Sequence, residues 1–176
     1  MTRSVNAANL LTLLRFVLVP FVILAILEGH HTRALALFAG AAFTDVLDGA
    51  VARRFHLATP AGAWLDPVAD KCLLSGVFLA LAGAGTVPWW FVLLIFGRDL
   101  YILAGAAIVM LLTPVRKFPP SIWGKASTFV QVLTVVVCMA GSVGQARAML
   151  WPCAAFTIWS GIHYTWRTLQ LLRDPA

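Results

Sequence analysis

Four of the seven acidic residues in this 176-residue chain fall within one stretch: Asp45, Asp48, Asp66 and Asp70. Asp45 and Asp48 are three apart and Asp66 and Asp70 four apart, so on helices each pair shares a face. A helical hairpin would let the two faces meet. Carboxylates gathered in this way repel one another, and something positive must compensate. Hard divalent cations such as Mg²⁺ prefer oxygen ligands, and a two-metal site holds its ions about 3.5–4 Å apart with shared carboxylates. The chemistry expected is therefore metal-assisted. Two other readings use the same residues. A single acid near a helix end serves as a cap or a solvated interfacial group, which suits any one of the four better than all four. Acids within a membrane also line ion pathways in transporters, although 176 residues are few for one.

The elements that must position these residues follow from composition. Apolar residues make up 61% of the chain and charged residues only 11%, against about 25% charged in soluble domains. Mean hydropathy is +0.88. A soluble domain of this size cannot hide so much apolar surface, so the reading is an integral membrane protein with one domain, residues 1–176. In lipid only helices and closed barrels satisfy their own backbone, and the apolar runs lack strand alternation. The expected fold class is all-α and polytopic, with six transmembrane helices over about 8–28, 32–54, 66–83, 88–112, 122–143 and 148–172. Asp66-Pro67 reads as the start of the third helix, since proline suits the first helical position. The first run carries Arg15 and has no small-residue cleavage site after it, so it reads as a retained helix and not a signal peptide.

Net charge is +6, but the basic residues form no dense run, which argues against nucleic acid as a partner. Cys72, Cys138 and Cys153 lie in apolar stretches and read as buried small hydrophobes, not a disulfide framework. With the N-terminus in the cytoplasm, that side receives Arg3, Arg53, Arg54, Arg116, Lys117, Lys125, Arg167 and Arg173, and the far side only Arg33 and Arg147. This bias satisfies the positive-inside rule and puts the carboxylate region at the cytoplasmic face. Trp89, Trp90 and Trp151 then stand at helix starts on the far side, as an interfacial aromatic belt would place them.

The run Asp45-Val46-Leu47-Asp48-Gly49-Ala50-Val51-Ala52-Arg53, followed after eight residues by Gly62, then by Asp66 and Asp70, resembles the motif of the CDP-alcohol phosphotransferases. That motif is D-x2-D-G-x2-A-R-x8-G-x3-D-x3-D, and all of its fixed positions and gaps are matched. Asn9-Leu10-Leu11-Thr12-Leu13-Leu14-Arg15 and Leu65-Asp66-Pro67-Val68-Ala69-Asp70-Lys71 are similar to segments of the phosphatidylglycerophosphate synthase and cardiolipin synthase branch. The resemblance covers the first three expected helices well and the last three loosely.

The resemblance implies a homodimer in the bacterial inner membrane with its site facing the cytoplasm. It implies two Mg²⁺ or Mn²⁺ ions on Asp45, Asp48, Asp66 and Asp70, with Asp70 also the general base. It implies transfer of a phosphatidyl group from CDP-diacylglycerol to an alcohol acceptor, with release of CMP. Asp48, Gly49, Ala52, Arg53 and Gly62 would contact the nucleotide. For the glycines the plainer reading is packing or a turn, and for Arg53 an interfacial snorkelling arginine.

The acceptor is less legible. The branch points to glycerol 3-phosphate or phosphatidylglycerol, with inositol phosphate or serine behind them. Ser121-Ile122-Trp123-Gly124-Lys125-Ala126-Ser127-Thr128, with Gln131 after it, is similar to a segment of both enzymes. After Arg98-Asp99-Leu100 no arginine follows until Arg116, whereas the pattern for glycerol 3-phosphate has Arg-Glu and then Ser-Gly-Leu-Arg. This tilts the reading toward a cardiolipin-synthase-like reaction. Arg98, Arg116, Lys117 and Lys125 are the candidate acceptor contacts, each also readable as an ion pair or a positive-inside charge. His163 and Tyr164 read as packing or interfacial groups. From different classes, a small ion-coupled transporter and a structural membrane protein remain as alternatives, and an aspartate-rich prenyltransferase is disfavoured by its spacing.

Overall fold

The computed structural model describes residues 16–55, 60–112 and 122–173. Among these residues there are six helices and no strand: α1 (Phe16–Leu27), α2 (His31–Phe55), α3 (Pro60–Gly83), α4 (Trp89–Leu112), α5 (Ile122–Ala140) and α6 (Val143–Arg173). The all-α expectation holds. Two helices, at Trp89–Leu111 and Ile122–Ala140, are both long and apolar enough to cross a membrane by length and composition alone.

α1–α3 form one compact unit and α4–α6 another. In the first, α1 ends at Gly29, whose φ of +76° is the left-handed conformation that glycine adopts without a Cβ penalty. His30 N–H reaches back to the Ala25 carbonyl at 2.9 Å and Gly29 N–H to Ile26 at 3.0 Å, the two bonds of a Schellman cap. The same cap closes α3, with Gly85 at φ +76°, Thr86 N–H on Leu81 at 2.9 Å and Gly85 N–H on Ala82 at 3.0 Å. α1 and α3 approach closely beyond the carboxylates: a Cβ on Gly76 would stand 3.1 Å from Ile23 Cδ1. Val22, Ile26, Phe38, Val77, Phe78 and Leu81 are buried.

α3 begins earlier than Asp66-Pro67 suggests. It starts at Pro60, so 60–65, expected to precede the third helix, belong to it. Pro60 has the same suitability for a helix start as Pro67, its fixed φ being pre-organised and its missing N–H costing nothing there. Pro67 is instead accommodated within the helix. α6 also starts before its expected position and carries Pro152 in its interior.

In the second unit, α5 turns into α6 at Gly141. A Cβ there would meet the Val137 carbonyl oxygen at 2.6 Å, so the turn requires glycine. Ser142 and Gln145 then form a reciprocal capping box, Ser142 N–H donating to Gln145 Oε1 at 2.8 Å and Gln145 N–H to Ser142 Oγ at 3.4 Å. The buried face of α5 is Ser127, Gln131, Thr134, Val135, Cys138 and Met139, the spacing of one helical stripe. Thr134 and Thr157 satisfy their buried hydroxyls on the carbonyls one turn back, Val130 at 2.7 Å and Cys153 at 2.8 Å. Outward, Leu93, Leu100, Leu103 and Leu111 of α4 are more than half exposed, a face suited to lipid. Trp90 and Trp151, both exposed, pack with ring centroids 5.9 Å apart and planes tilted by 37°.

Candidate active site

Because α2 runs unbroken to Phe55 and α3 unbroken from Pro60, the spacing of the carboxylate motif becomes a statement about helix faces. Asp45, Asp48, Gly49, Ala52 and Arg53 occupy positions i, i+3, i+4, i+7 and i+8 of α2. At about 100° per residue they fall within an arc of about 140°. Gly62, Asp66 and Asp70 occupy i, i+4 and i+8 of α3, an arc of about 80°. Every fixed position of the motif therefore lies on one stripe of its helix, and each stripe is about 12 Å long at 1.5 Å per residue. The residues between, Val46, Leu47, Ala50 and Val51, fall on the other faces of α2.

Of the four aspartates, the placement of Asp45, Asp48 and Asp66 is described for the backbone, and Asp70 is half-buried. Lys71 beside it is also half-buried. By residue type, the metal-binding groups at the motif positions would be carboxylates alone, with no imidazole or thiolate. That set matches hard divalent cations.

The expected acceptor contacts are distributed differently. Arg116 and Lys117 lie outside the described residues. Lys125 is exposed on α5, on a different face from buried Ser127 and Gln131. Arg98 is mostly buried within α4, its side chain 12% exposed. Its guanidinium donates to Asp99 Oδ1 at 2.8 Å and to the hydroxyl of Ser160 on α6. Its Nε is buried with no partner. Gly161 leaves room for the guanidinium stem, its absent Cβ lying 3.8 Å from Arg98 Cγ. One turn along, the Tyr101 and Thr165 hydroxyls are 2.7 Å apart, again joining α4 to α6. Ser160 was not singled out from sequence. It lies 62 residues from Arg98, and no local pattern joins them.

Comparison with known proteins agrees with the motif. Residues 5–159 match the family model for CDP-alcohol phosphatidyltransferase. A probable phosphatidylglycerophosphate synthase of Mycobacterium tuberculosis is 37% identical over 179 residues, covering 96% of this chain and 84% of that protein. A CDP-diacylglycerol–glycerol-3-phosphate 3-phosphatidyltransferase of Rickettsia felis is 32% identical, covering 90% of this chain and 93% of that protein. A cardiolipin synthase (CMP-forming) of Rattus norvegicus is 32% identical, covering 94% of this chain and 63% of that protein. Members of the family generally use divalent metal ions. With a match over most of its length and both aspartate-bearing helices inside it, the chain belongs to the CDP-alcohol phosphatidyltransferase family, as a membrane transferase of phospholipid biosynthesis.

Proposed function

We propose that this protein transfers the phosphatidyl group of CDP-diacylglycerol to glycerol 3-phosphate and releases CMP. The observation that carries the acceptor is the 37% identity to the mycobacterial protein described as a phosphatidylglycerophosphate synthase, over nearly the whole chain. The placing of the motif on one stripe of α2 and one of α3 supports the chemistry.

Asp45, Asp48, Asp66 and Asp70 would hold two divalent cations, Mg²⁺ or Mn²⁺, which would supply positive charge to the donor's pyrophosphate oxygens and to the charge that grows on the CMP leaving group. Gly49, Gly62 and Ala52 leave the helix faces low enough for the nucleotide to lie against the backbone. Asp48 and Arg53 contact the nucleotide end of the donor. Asp70 takes the proton from the acceptor hydroxyl, whose oxygen attacks the lipid-side phosphorus. The new P–O bond forms as the bond from that phosphorus to the CMP oxygen breaks, and CMP leaves with the electron pair. Arg116, Lys117 and Lys125 supply positive charge for the acceptor phosphate, whereas Arg98 is engaged by Asp99 and Ser160. The full architecture in this reading is six membrane-spanning helices in a homodimer of the bacterial inner membrane, with the site facing the cytoplasm.

A second reading has phosphatidylglycerol as acceptor and cardiolipin as product. It is favoured by the absence of arginine between Arg98 and Arg116 and by the similarity to the rat cardiolipin synthase. The test is CMP release by the detergent-purified protein with CDP-diacylglycerol and Mg²⁺, with each acceptor in turn, identifying the lipid product by mass. Release with glycerol 3-phosphate alone supports the first reading and with phosphatidylglycerol alone the second. Metal-dependent release with neither sends the search to inositol phosphate and serine.

A further inference from the structure

α3 carries a proline where a helix ordinarily has none. The helix runs unbroken from Pro60 to Gly83, so Pro67 lies well past the first turn, the place where proline is harmless. Pro67 has no N–H. In an ordinary helix the amide at that position donates to the carbonyl four residues back, which here belongs to Ala63. The Ala63 carbonyl is therefore without its helical donor. A backbone oxygen that faces inward needs some other partner, the more so in a chain that is 61% apolar.

The helical period says which way this carbonyl faces. Ala63 stands seven residues before Asp70, and at about 100° per residue the two fall within about 20° of each other. Val77 and Leu81, both fully buried, also fall within about 20° of Asp70. This face of α3 is thus the inward one, and the freed carbonyl belongs to it. Helical carbonyls are directed toward the C-terminus, and Cα–Cβ bonds are tilted toward the N-terminus. The Ala63 oxygen and the Asp70 side chain accordingly approach each other across the turn that contains Asp66 and Pro67.

We propose that the Ala63 carbonyl oxygen, freed by Pro67, is a further ligand of a divalent cation held by Asp66 and Asp70. The proposal rests on the metal reading of the four aspartates and adds to it. Hard cations accept backbone carbonyl oxygens beside carboxylates, and a neutral oxygen fills a coordination position without adding to the repulsion among the acids. Pro67 acts through Ala63 and is a positioning residue. The chain contains its own comparison. Pro152 lies inside α6 and frees the carbonyl of Ala148 in the same way, but α6 carries no acid. Ala148 lines a cavity with Val136, Val137 and Met149, an apolar setting in which a cation has no charged ligand.

The experiment titrates Mn²⁺ into the intact detergent-purified protein, without substrate, and reads free Mn²⁺ by electron paramagnetic resonance. Melting temperatures are taken without metal. Pro67→Ala restores the N–H and lets the Ala63 carbonyl close its helical bond. Its melting temperature is expected to rise, because proline disfavours a helix interior, while Mn²⁺ affinity falls about tenfold or more, the scale on which even outer partners of a metal site act. A purely structural proline would move the first reading and not the second. Pro152→Ala is expected to raise the melting temperature and leave Mn²⁺ affinity within about twofold, as a distant independent site should. Lactic acid built in at position 67 gives an ester with neither ring nor N–H, and Mn²⁺ affinity like that of the parent is expected. Parent-like affinity in Pro67→Ala overturns the carbonyl ligand, and so does an equal loss in the ester variant, which would assign the effect to the ring. Failure of the parent protein to bind Mn²⁺ at all would instead sink the metal reading of the aspartates, and the proposal with it.

Discussion

Arg98 on α4 donates to the hydroxyl of Ser160 on α6 while its other terminal nitrogen holds Asp99 at 2.8 Å. A mostly buried charge in an apolar helix is costly unless it is paired, and here the pairing also ties two helices together. Ser160→Ala removes one acceptor from a guanidinium whose Nε already lacks a partner. The expected cost is about 1–3 kcal/mol, read as a lower melting temperature of the purified protein with turnover retained. An unchanged melting temperature together with a raised KM for the acceptor would instead place Arg98 on the substrate.

The two Schellman caps give a second stability prediction. Gly85 sits at φ +76° with open space around its missing Cβ, so Gly85→Ala adds backbone strain and no clash. The expected loss is about 1 kcal/mol. Gly40→Ala, at a helical position that is also open, is expected to be neutral or slightly stabilising. Equal melting temperatures for the two variants would show that the turn after α3 relaxes freely.

How much of this was legible beforehand differs by residue. The spacing of Asp45, Asp48, Asp66 and Asp70 encodes helix faces directly, because the helical period converts sequence gaps into angles. The start of α3 was misplaced because Pro67 and Pro60 carry the same signal, and only the continuity of the backbone decides between them. Ser160 was invisible because tertiary pairing between helices leaves no periodic trace.

Asp70 stands apart from the other three aspartates if it moves a proton. Asp70→Asn keeps an oxygen donor but removes the base. Turnover is expected to fall about 10²–10⁴-fold, the usual contribution of a positioned general base, while CDP-diacylglycerol binding stays within a few-fold of the parent protein. Loss of donor binding in step with turnover would make Asp70 a metal ligand and nothing more.

Metal dependence is expected to be complete. Stripping with EDTA should abolish CMP release, and adding Mg²⁺ or Mn²⁺ should restore it, because the all-carboxylate set favours hard ions. Ca²⁺, larger and looser in its geometry, is expected to bind without restoring full turnover. Undiminished CMP release after exhaustive chelation would remove the metal role from the four aspartates.

The stripe on α2 makes the sharpest claim, because neighbouring alanines fall on different faces. Ala52 lies among Asp48, Gly49 and Arg53, whereas Ala50 lies off the stripe, about 160° from Ala52 at 100° per residue. Ala52→Leu adds three carbons where the nucleotide is proposed to approach the helix. It is expected to raise the KM for CDP-diacylglycerol at least about tenfold, since a clash at a close approach cannot be relieved by a backbone that is already helical. Ala50→Leu adds the same volume to another face and is expected to leave that KM within about twofold, with helix propensity nearly unchanged. Both constants are read from CMP release at saturating acceptor, with folding checked by thermal melting. Equal effects from the two substitutions would mean that the nucleotide does not lie along this face of α2.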